Sequence, residues 1–313
     1  MQVPVKTIAS PLNYTGGKYK LLPQLLPLFP DNVSTFVDLF CGGCNVAINV
    51  TAENYICNDS EKHLIGLLKK IKSDGSKDFS SKIETVVQSY HLSDTTANKY
   101  DFYECNSSSG LGKYNKTPFL KLREHFNTLS DKNDNYYYEF FALIVYAFNN
   151  QIRFNSEGKF NLPVGKRDFN KKMRNKLNQF ADVIQKKKIK FINSSFKEFD
   201  IKNLEVGSFI YADPPYIITT ATYNEKNAWT EVEERKLLYF LDNCNSRNIK
   251  FALSNVLEID GKVNQILKDW LLKNDYICHH LNYSYRNSNY QKKDNQEKTD
   301  EVLITNYEVR NDR

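Results

Sequence analysis

Four consecutive apolar residues, Phe209-Ile210-Tyr211-Ala212, run directly into Asp213-Pro214-Pro215-Tyr216, and that junction constrains the fold more than any other stretch of the chain. The apolar run reads as a buried β-strand. Two prolines cannot continue a central strand, so it must stop there. The Asp213 carboxylate, the carbonyls around the prolines and the Tyr216 ring are thereby gathered at the strand's carboxyl edge, where open α/β sheets bind their ligands. A plain strand-ending turn would use the same residues, although average usage puts this tetrapeptide in only about one chain in a thousand of this length. The chemistry such a cluster suits is transfer to an exocyclic amine, whose lone pair is delocalised into its ring. Asp213 and the Pro214 carbonyl can both accept the amine's N–H bonds and localise that pair, while Tyr216 stacks on the ring.

A second segment has the same character. Thr35 to Phe40 reads as a strand, Cys41-Gly42-Gly43-Cys44 as a tight loop, and Asn45 to Val50 as the opening of a helix. Paired glycines let a backbone approach a ligand closely, as in nucleotide-binding βα turns. The phosphate signature Gly-x-Gly-x-x-Gly is absent, which disfavours a dinucleotide or triphosphate. Asn54 to Asp59 then reads as a short strand ending in an acid about twenty residues after the first, the placement used to hold ribose hydroxyls. These features together specify an adenosine-containing cofactor with little need for phosphate recognition, and S-adenosyl-L-methionine fits.

Helix and strand signals alternate at both ends of the chain and not in the middle. A helix is expected over 18–28, strands over 36–39 and 55–57, and a helix over 60–71. Helical periodicity and polar loops follow, including helices over 118–129 and 136–148. Strand signals resume at 189–192, 209–212, 249–253, 278–285 and 302–305. The middle is thus an insertion between two parts of one α/β sheet, a mostly helical unit above the ligand edge. Two polar segments, 107–110 and 287–298, read as mobile loops.

The 313 residues are 41% hydrophobic, enough for a sizeable core. No apolar run reaches membrane-spanning length and no signal-peptide pattern opens the chain, so a cytoplasmic protein is expected. Cys41 and Cys44 form the one Cys-x-x-Cys pair, and Cys57, Cys105, Cys244 and Cys278 supply no further ligands at zinc spacing, so no metal is expected. Ten basic residues and two acids lie between Val164 and Lys190, a local charge of +8 in a chain of net +6. One basic face on an otherwise near-neutral protein points to a polyanion. Lys166 and Arg167 are the expected phosphate contacts; Lys186 to Lys188 read as a solvated helix end.

Tyr14-Thr15-Gly16-Gly17-Lys18, Asp38-Leu39-Phe40-Cys41-Gly42-Gly43, Asp59, the run from Asn155 to Gly165, and Asp213-Pro214-Pro215-Tyr216 stand in the order found in the alpha-class DNA adenine methyltransferases. The chain resembles this Dam family over nearly its whole length, with a likeness to the T-even phage branch, and Ser254-Asn255-Val256-Leu257-Glu258 and Thr299-Asp300-Glu301-Val302 add to it. The resemblance implies a Rossmann-like S-adenosylmethionine-dependent methyltransferase sheet, residues 1–59 and 188–313, with an inserted target-recognition domain, residues 60–187. It implies methyl transfer to the N6 amine of an adenine flipped out of duplex DNA, by a monomer or weak dimer. Asp213, Pro214, Pro215 and Tyr216 would form the catalytic cluster. Tyr14, Lys18, Asp38, Phe40, Cys41, Gly42, Gly43, Asp59, Phe196, Asp213 and Tyr223 would meet the cofactor, Phe196 and Tyr223 being as readily plain core aromatics. Asn150, Gln151, Arg153, Asn155, Pro163, Lys166 and Arg167 would meet DNA, with Arg153 bridging guanine O6 and N7 and Pro163 touching a thymine methyl. GATC is the leading recognition site, although Gln151 stands where the family usually has an apolar residue. A cytosine-N4 methyltransferase and a catalytically idle DNA-binding module of the same fold are the rival readings.

Overall fold

The computed structural model describes residues 7–14, 16–218, 229–282 and 299–309. In chain order its elements are α1 (Leu22–Leu25), β1 (Val33–Asp38), β2 (Ala52–Asp59), α2 (Lys62–Ser89), α3 (Gly112–Phe126), α4 (Tyr136–Tyr146), α5 (Lys171–Lys186), β3 (Ile189–Asn193), β4 (Phe209–Ala212), α6 (Glu231–Ser246), β5 (Lys250–Ile259), β6 (Lys262–Val263), α7 (Gln265–Lys273), β7 (Ile277–Leu281) and β8 (Thr299–Thr305). The strands form one 8-stranded sheet in the order β3-β2-β1-β4-β5-β8-β7, with β6 paired to the end of β5. From β3 to β5 all pairings are parallel, and β8 joins β5 and β7 antiparallel. The order reverses between β1 and β4. Asp38 ends the first of these strands and Asp213 follows the second, so both carboxylates sit at the crevice that a parallel sheet opens at such a point.

Strand residues alternate between faces, and the two faces carry different cores. Phe36, Tyr55, Phe209, Tyr211 and Leu303 face the side covered by α1 and by α2 through α5. Val37, Ile210, Ala212, Leu253, Val302 and Ile304 face α6 and α7. Everything between β2 and β3 is helical apart from loops and two isolated β-bridges. In α4, every residue but Tyr137 is buried, as expected of a helix apolar on all sides. α5 instead turns Leu177, Phe180, Ala181 and Ile184 inward, while Asn170 caps its start by accepting the Met173 N–H. Glu61 caps α2 in the same way through the His63 N–H.

Several expectations need correction. Residues 45–50 form turns and no helix. The reason lies in two asparagines: Asn49 binds both the N–H and the carbonyl of Ile8, and Asn45 Oδ1 accepts the Ser10 N–H. These side chains tie the N-terminal segment down at the expense of helix continuation. The helix over 18–28 is broken into a 3-10 turn, α1 and a second 3-10 turn, with Pro23 and Pro27 at the junctions. α2 runs far beyond Ile71 but breaks at Gly75, whose φ of 74° suits glycine and whose missing Cβ leaves room for the Gln185 side chain. α3 starts before Pro118 and carries it inside. Lys187 is not solvated: its ammonium donates to the Val50 carbonyl and the Tyr55 hydroxyl and lies 4.1 Å from the Tyr55 ring centroid. Of the two segments read as mobile loops, 107–110 forms a hydrogen-bonded turn built around Asn106, and 287–298 lies outside the described residues.

Candidate active site

The loop after β1 is drawn tight by its neighbours. Cys41 N–H donates to the Asn58 carbonyl, Cys44 N–H to the Cys41 carbonyl, and Gly42 N–H to Asp59 Oδ2 at 2.9 Å. Gly42 takes a φ of 47°, and a Cβ there would stand 2.9 Å from the Tyr14 ring. Glycine is required both for the turn and for the approach of Tyr14. Asp59 Oδ1 accepts the Glu61 N–H, so this acid couples the loop to the start of α2 and still has lone pairs left for a ligand. Burial raises its pKa, against the pull of those backbone N–H groups. Asp38 lies beside it, wholly buried, with Oδ2 finding no hydrogen-bond partner among the described residues. Burial pushes this carboxyl well above the usual range, and the nearby Cys57 and Asp213 add to the effect. A buried acceptor with an unused oxygen is suited to a donor that arrives with a ligand.

Lys18 reaches the same crevice from the N-terminal segment. Its ammonium is buried, 3.0 Å from Asp213 Oδ1 and 3.4 Å from Glu301 Oε1, and donates to the Gly16 carbonyl. The Tyr216 hydroxyl donates to Asp213 Oδ1 at 3.0 Å and stands 3.4 Å from Glu301 Oε1. The ammonium also lies 4.8 Å from the Tyr216 ring centroid. Burial draws the Lys18 pKa down, but Asp213 and Glu301 outweigh it and the net shift is upward. Burial raises Asp213, opposed by Lys18. Both described contacts of Asp213 fall on Oδ1; among the described residues Oδ2 takes none. Pro214 is buried behind the cluster and Pro215 is exposed.

Phe40, Phe196 and Trp229 form an aromatic corner beside the loop, with ring centroids 5.5 to 5.8 Å apart. Trp229 is held by its indole N–H on Glu234 Oε2, and Glu234 Oε1 accepts from Asn255 and Asn264. Glu301, Trp229 and Glu234 were missed as site residues in the sequence. For Glu301 the signal is its place in Thr299-Asp300-Glu301-Val302; Trp229 and Glu234 stand in a polar stretch, Asn227 to Lys236, that offers none. Tyr223 lies outside the described residues. Cys41, Cys44 and Cys57 form a buried cluster that sequence spacing hides; burial pushes the Cys41 thiol well up, while Cys41 and Cys44 draw Cys57 down to about 5. Among the described residues no group of His, Cys, Asp or Glu is arranged to hold a metal ion.

The recognition-like segment folds back on itself. An isolated bridge joins Phe154 to Phe160, and Asn155 Oδ1 accepts the N–H groups of Glu157 and Lys159, which shapes the tip. Arg153 is exposed, with Nε on Asn161 Oδ1 at 2.8 Å and Nη2 on the Asn161 carbonyl. Pro163, Lys166 and Arg167 are exposed and Gln151 is half-buried. Asn150 faces inward and donates to the carbonyls of Ile144 and Val145, closing the end of α4. Asn149 and Asn150 both take positive φ, and the ring of Phe148 just before them is half-exposed. Two links join this segment to the crevice. Asn13 donates to the Asn149 carbonyl, and His63 stacks on Phe154 at 4.3 Å while its Nδ1 pairs with the Tyr136 hydroxyl. Burial lowers His63 to about 4, which keeps the stacked imidazole neutral.

A family model described as D12 class N6 adenine-specific DNA methyltransferase matches residues 14–302. Among curated proteins, "Modification methylase StsI" of Streptococcus sanguinis is 40% identical over 311 residues, covering 97% of this chain and 44% of that protein. "Type II methyltransferase M.FokI" of Planomicrobium okeanokoites is 38% identical over 306 residues, covering 96% and 43%. "DNA adenine methylase" of Salmonella typhi is 27% identical over 250 residues, covering 78% and 79%. The chain spans less than half the length of the first two.

Proposed function

The chain belongs to the D12 class of N6 adenine-specific DNA methyltransferases, and from that premise we propose that it methylates the N6 amine of an adenine in double-stranded DNA, with S-adenosyl-L-methionine as donor. The observation that carries this reading is the Asp213 carboxylate at the carboxyl end of β4, held through Oδ1 by Lys18 and Tyr216. Oδ2 and the Pro214 carbonyl then accept the two N–H bonds of the target amine, and the Tyr216 ring stacks on the base. Burial keeps water from competing for the same groups.

The crevice suits the donor. Asp38 Oδ2 is a buried acceptor awaiting a partner, Gly42 brings backbone close to Tyr14, Asp59 has capacity for ribose hydroxyls, and Phe40 and Phe196 supply flat apolar surface for an adenine ring. The donor contributes a methyl group on a sulfonium, poised for displacement. No general base of raised basicity is required, since the methylated amine loses its proton to water afterwards.

Residues 60–187 are proposed as the recognition part, with Arg153 reading guanine through the guanidinium edge that Asn161 leaves open, and Lys166 and Arg167 on phosphates. The exposed Phe148 ring is placed to wedge into the stack that a flipped base vacates. GATC is the proposed site. The relatives' names do not distinguish the phage branch suggested by the motif order, but they support a modification role, the protective half of a restriction system. Among the described residues no helix is long and apolar enough to cross a membrane.

Transfer of tritiated methyl to duplex DNA, followed by nucleoside analysis, tests the proposal. N6-methyladenine is expected. N4-methylcytosine would assign the rival chemistry, and no incorporation would leave a DNA-binding module. Asp213→Ala is expected to abolish transfer while cofactor binding persists.

A further inference from the structure

We propose that Glu301 is a positioning residue for the transfer step: it holds Lys18 and the Tyr216 hydroxyl against Asp213 Oδ1 and adds a negative charge behind the carboxylate that meets the target amine. This rests on Asp213 being the acceptor for that amine, as proposed above. Glu301 sits inside β8, opposite Val256 of β5 and Leu281 of β7, and is fully buried. Its neighbour Val302 faces α6 and α7, so alternation turns Glu301 to the other face, where Lys18 arrives. A buried carboxylate in a central strand is costly unless its partners repay it. Its partners among the described residues include the two donors that also bind Asp213.

Glu301 Oε1 and Asp213 Oδ1 are thus bridged twice, by the ammonium and by the phenol. This fixes the rotamer of Asp213 and leaves Oδ2 as the oxygen presented to the crevice. The charges also matter. Glu301 adds a negative charge beside Asp213, and the amine nitrogen becomes positive as its new N–C bond forms and the S–C bond breaks. A preorganised negative site stabilises that developing charge. Among the described residues the other titratable groups facing this cluster are Tyr211 of β4, bonded to Ser254, and Asp38 of β1.

Glu301→Gln keeps shape and the Oε1 acceptor but removes the charge. kcat for methyl transfer is expected to fall on the order of 10- to 100-fold, with cofactor affinity and KM for DNA within about 3-fold of wild type. The acid limb of the kcat profile is expected to move to lower pH, because a negative neighbour no longer raises Asp213. A residue serving stability alone would leave that limb in place. Wild-type kcat with an unmoved limb overturns the inference, as does a loss confined to cofactor affinity. Asp213→Ala is measured alongside: if it retains transfer, the reading beneath the inference fails; if it is inactive while Glu301→Gln is unaffected, the inference alone fails. Should Glu301→Gln not fold, Glu301→Asp replaces it. That variant keeps the charge, so a reduced kcat with the acid limb at its wild-type position is expected, and a displaced limb overturns the charge assignment.

Discussion

Replacing Lys18 by Met keeps the length and most of the volume of the side chain, so little cavity forms, but it removes the cation that pairs with both carboxylates of a buried cluster. The nearer pair is 3.0 Å apart, and at an effective dielectric of about 20 such a contact is worth on the order of 5 kcal/mol. Desolvation of the ammonium and carboxylate repulsion both enter the balance, and breaking buried pairs of this kind costs about 3–5 kcal/mol net. That is a large part of the total stability of a typical domain. The loss must also depend on pH. Without the ammonium the pKa of Asp213 rises further above its unfolded value, so the penalty is largest where the carboxyl is charged and fades as falling pH protonates it. Urea unfolding of both proteins, followed by the fluorescence of Trp229 and Trp270, should show the gap at about pH 8 narrowing by about pH 5.5. An equal gap at both values, or one under about 1 kcal/mol as for exposed pairs, would refute the reasoning.

Two further outcomes concern DNA. Arg153→Ala should lose about 1–3 kcal/mol of discrimination at the base pair preceding the adenine, read as relative methylation across randomised sites; uniform slowing on all sites would give Arg153 a backbone role. Replacing Lys166 and Arg167 by Ala should flatten the slope of log affinity against log salt by about one to two units, and an unchanged slope would move the phosphate contacts elsewhere.

The parts of the fold legible in sequence are those set by local chemistry. β4 was read to the residue because an apolar run of strand length is cut off by two prolines. The loop from Cys41 to Gly43 was legible because paired glycines have few other uses, and Asp59 because it ends the next strand. Glu301 is not legible as a site residue because it stands just before the strand expected over 302–305, and nothing local shows that β8 begins at Thr299 and turns this acid toward Lys18. Asn150 was read as a DNA contact from its place in the motif, whereas its amide closes α4, a task visible only once the chain has turned with positive φ at Asn149 and Asn150. The misread helix after Cys44 has a similar origin. Asn45 and Asn49 are poor helix residues for a reason that appears only when residues 8–10 lie beside them.

Lys18 precedes the first strand and Glu301 lies in the last, with β8 threading between β5 and β7. On a ribosome the stretch from Lys18 to Glu301 takes on the order of half a minute to add at ordinary elongation rates. For the last few seconds of that interval, while the chain from Ile259 to Thr299 is added, the edge of β5 that β8 will cover stands open, a template for pairing with another chain. The nascent chain therefore has most of a sheet but no assembled site. Long-range pairing of this kind is slow to nucleate, so the cluster of Lys18, Asp213 and Glu301 is completed in a single late event when β8 inserts, and fragments stopping short of β8 should lack it and be prone to edge-to-edge aggregation.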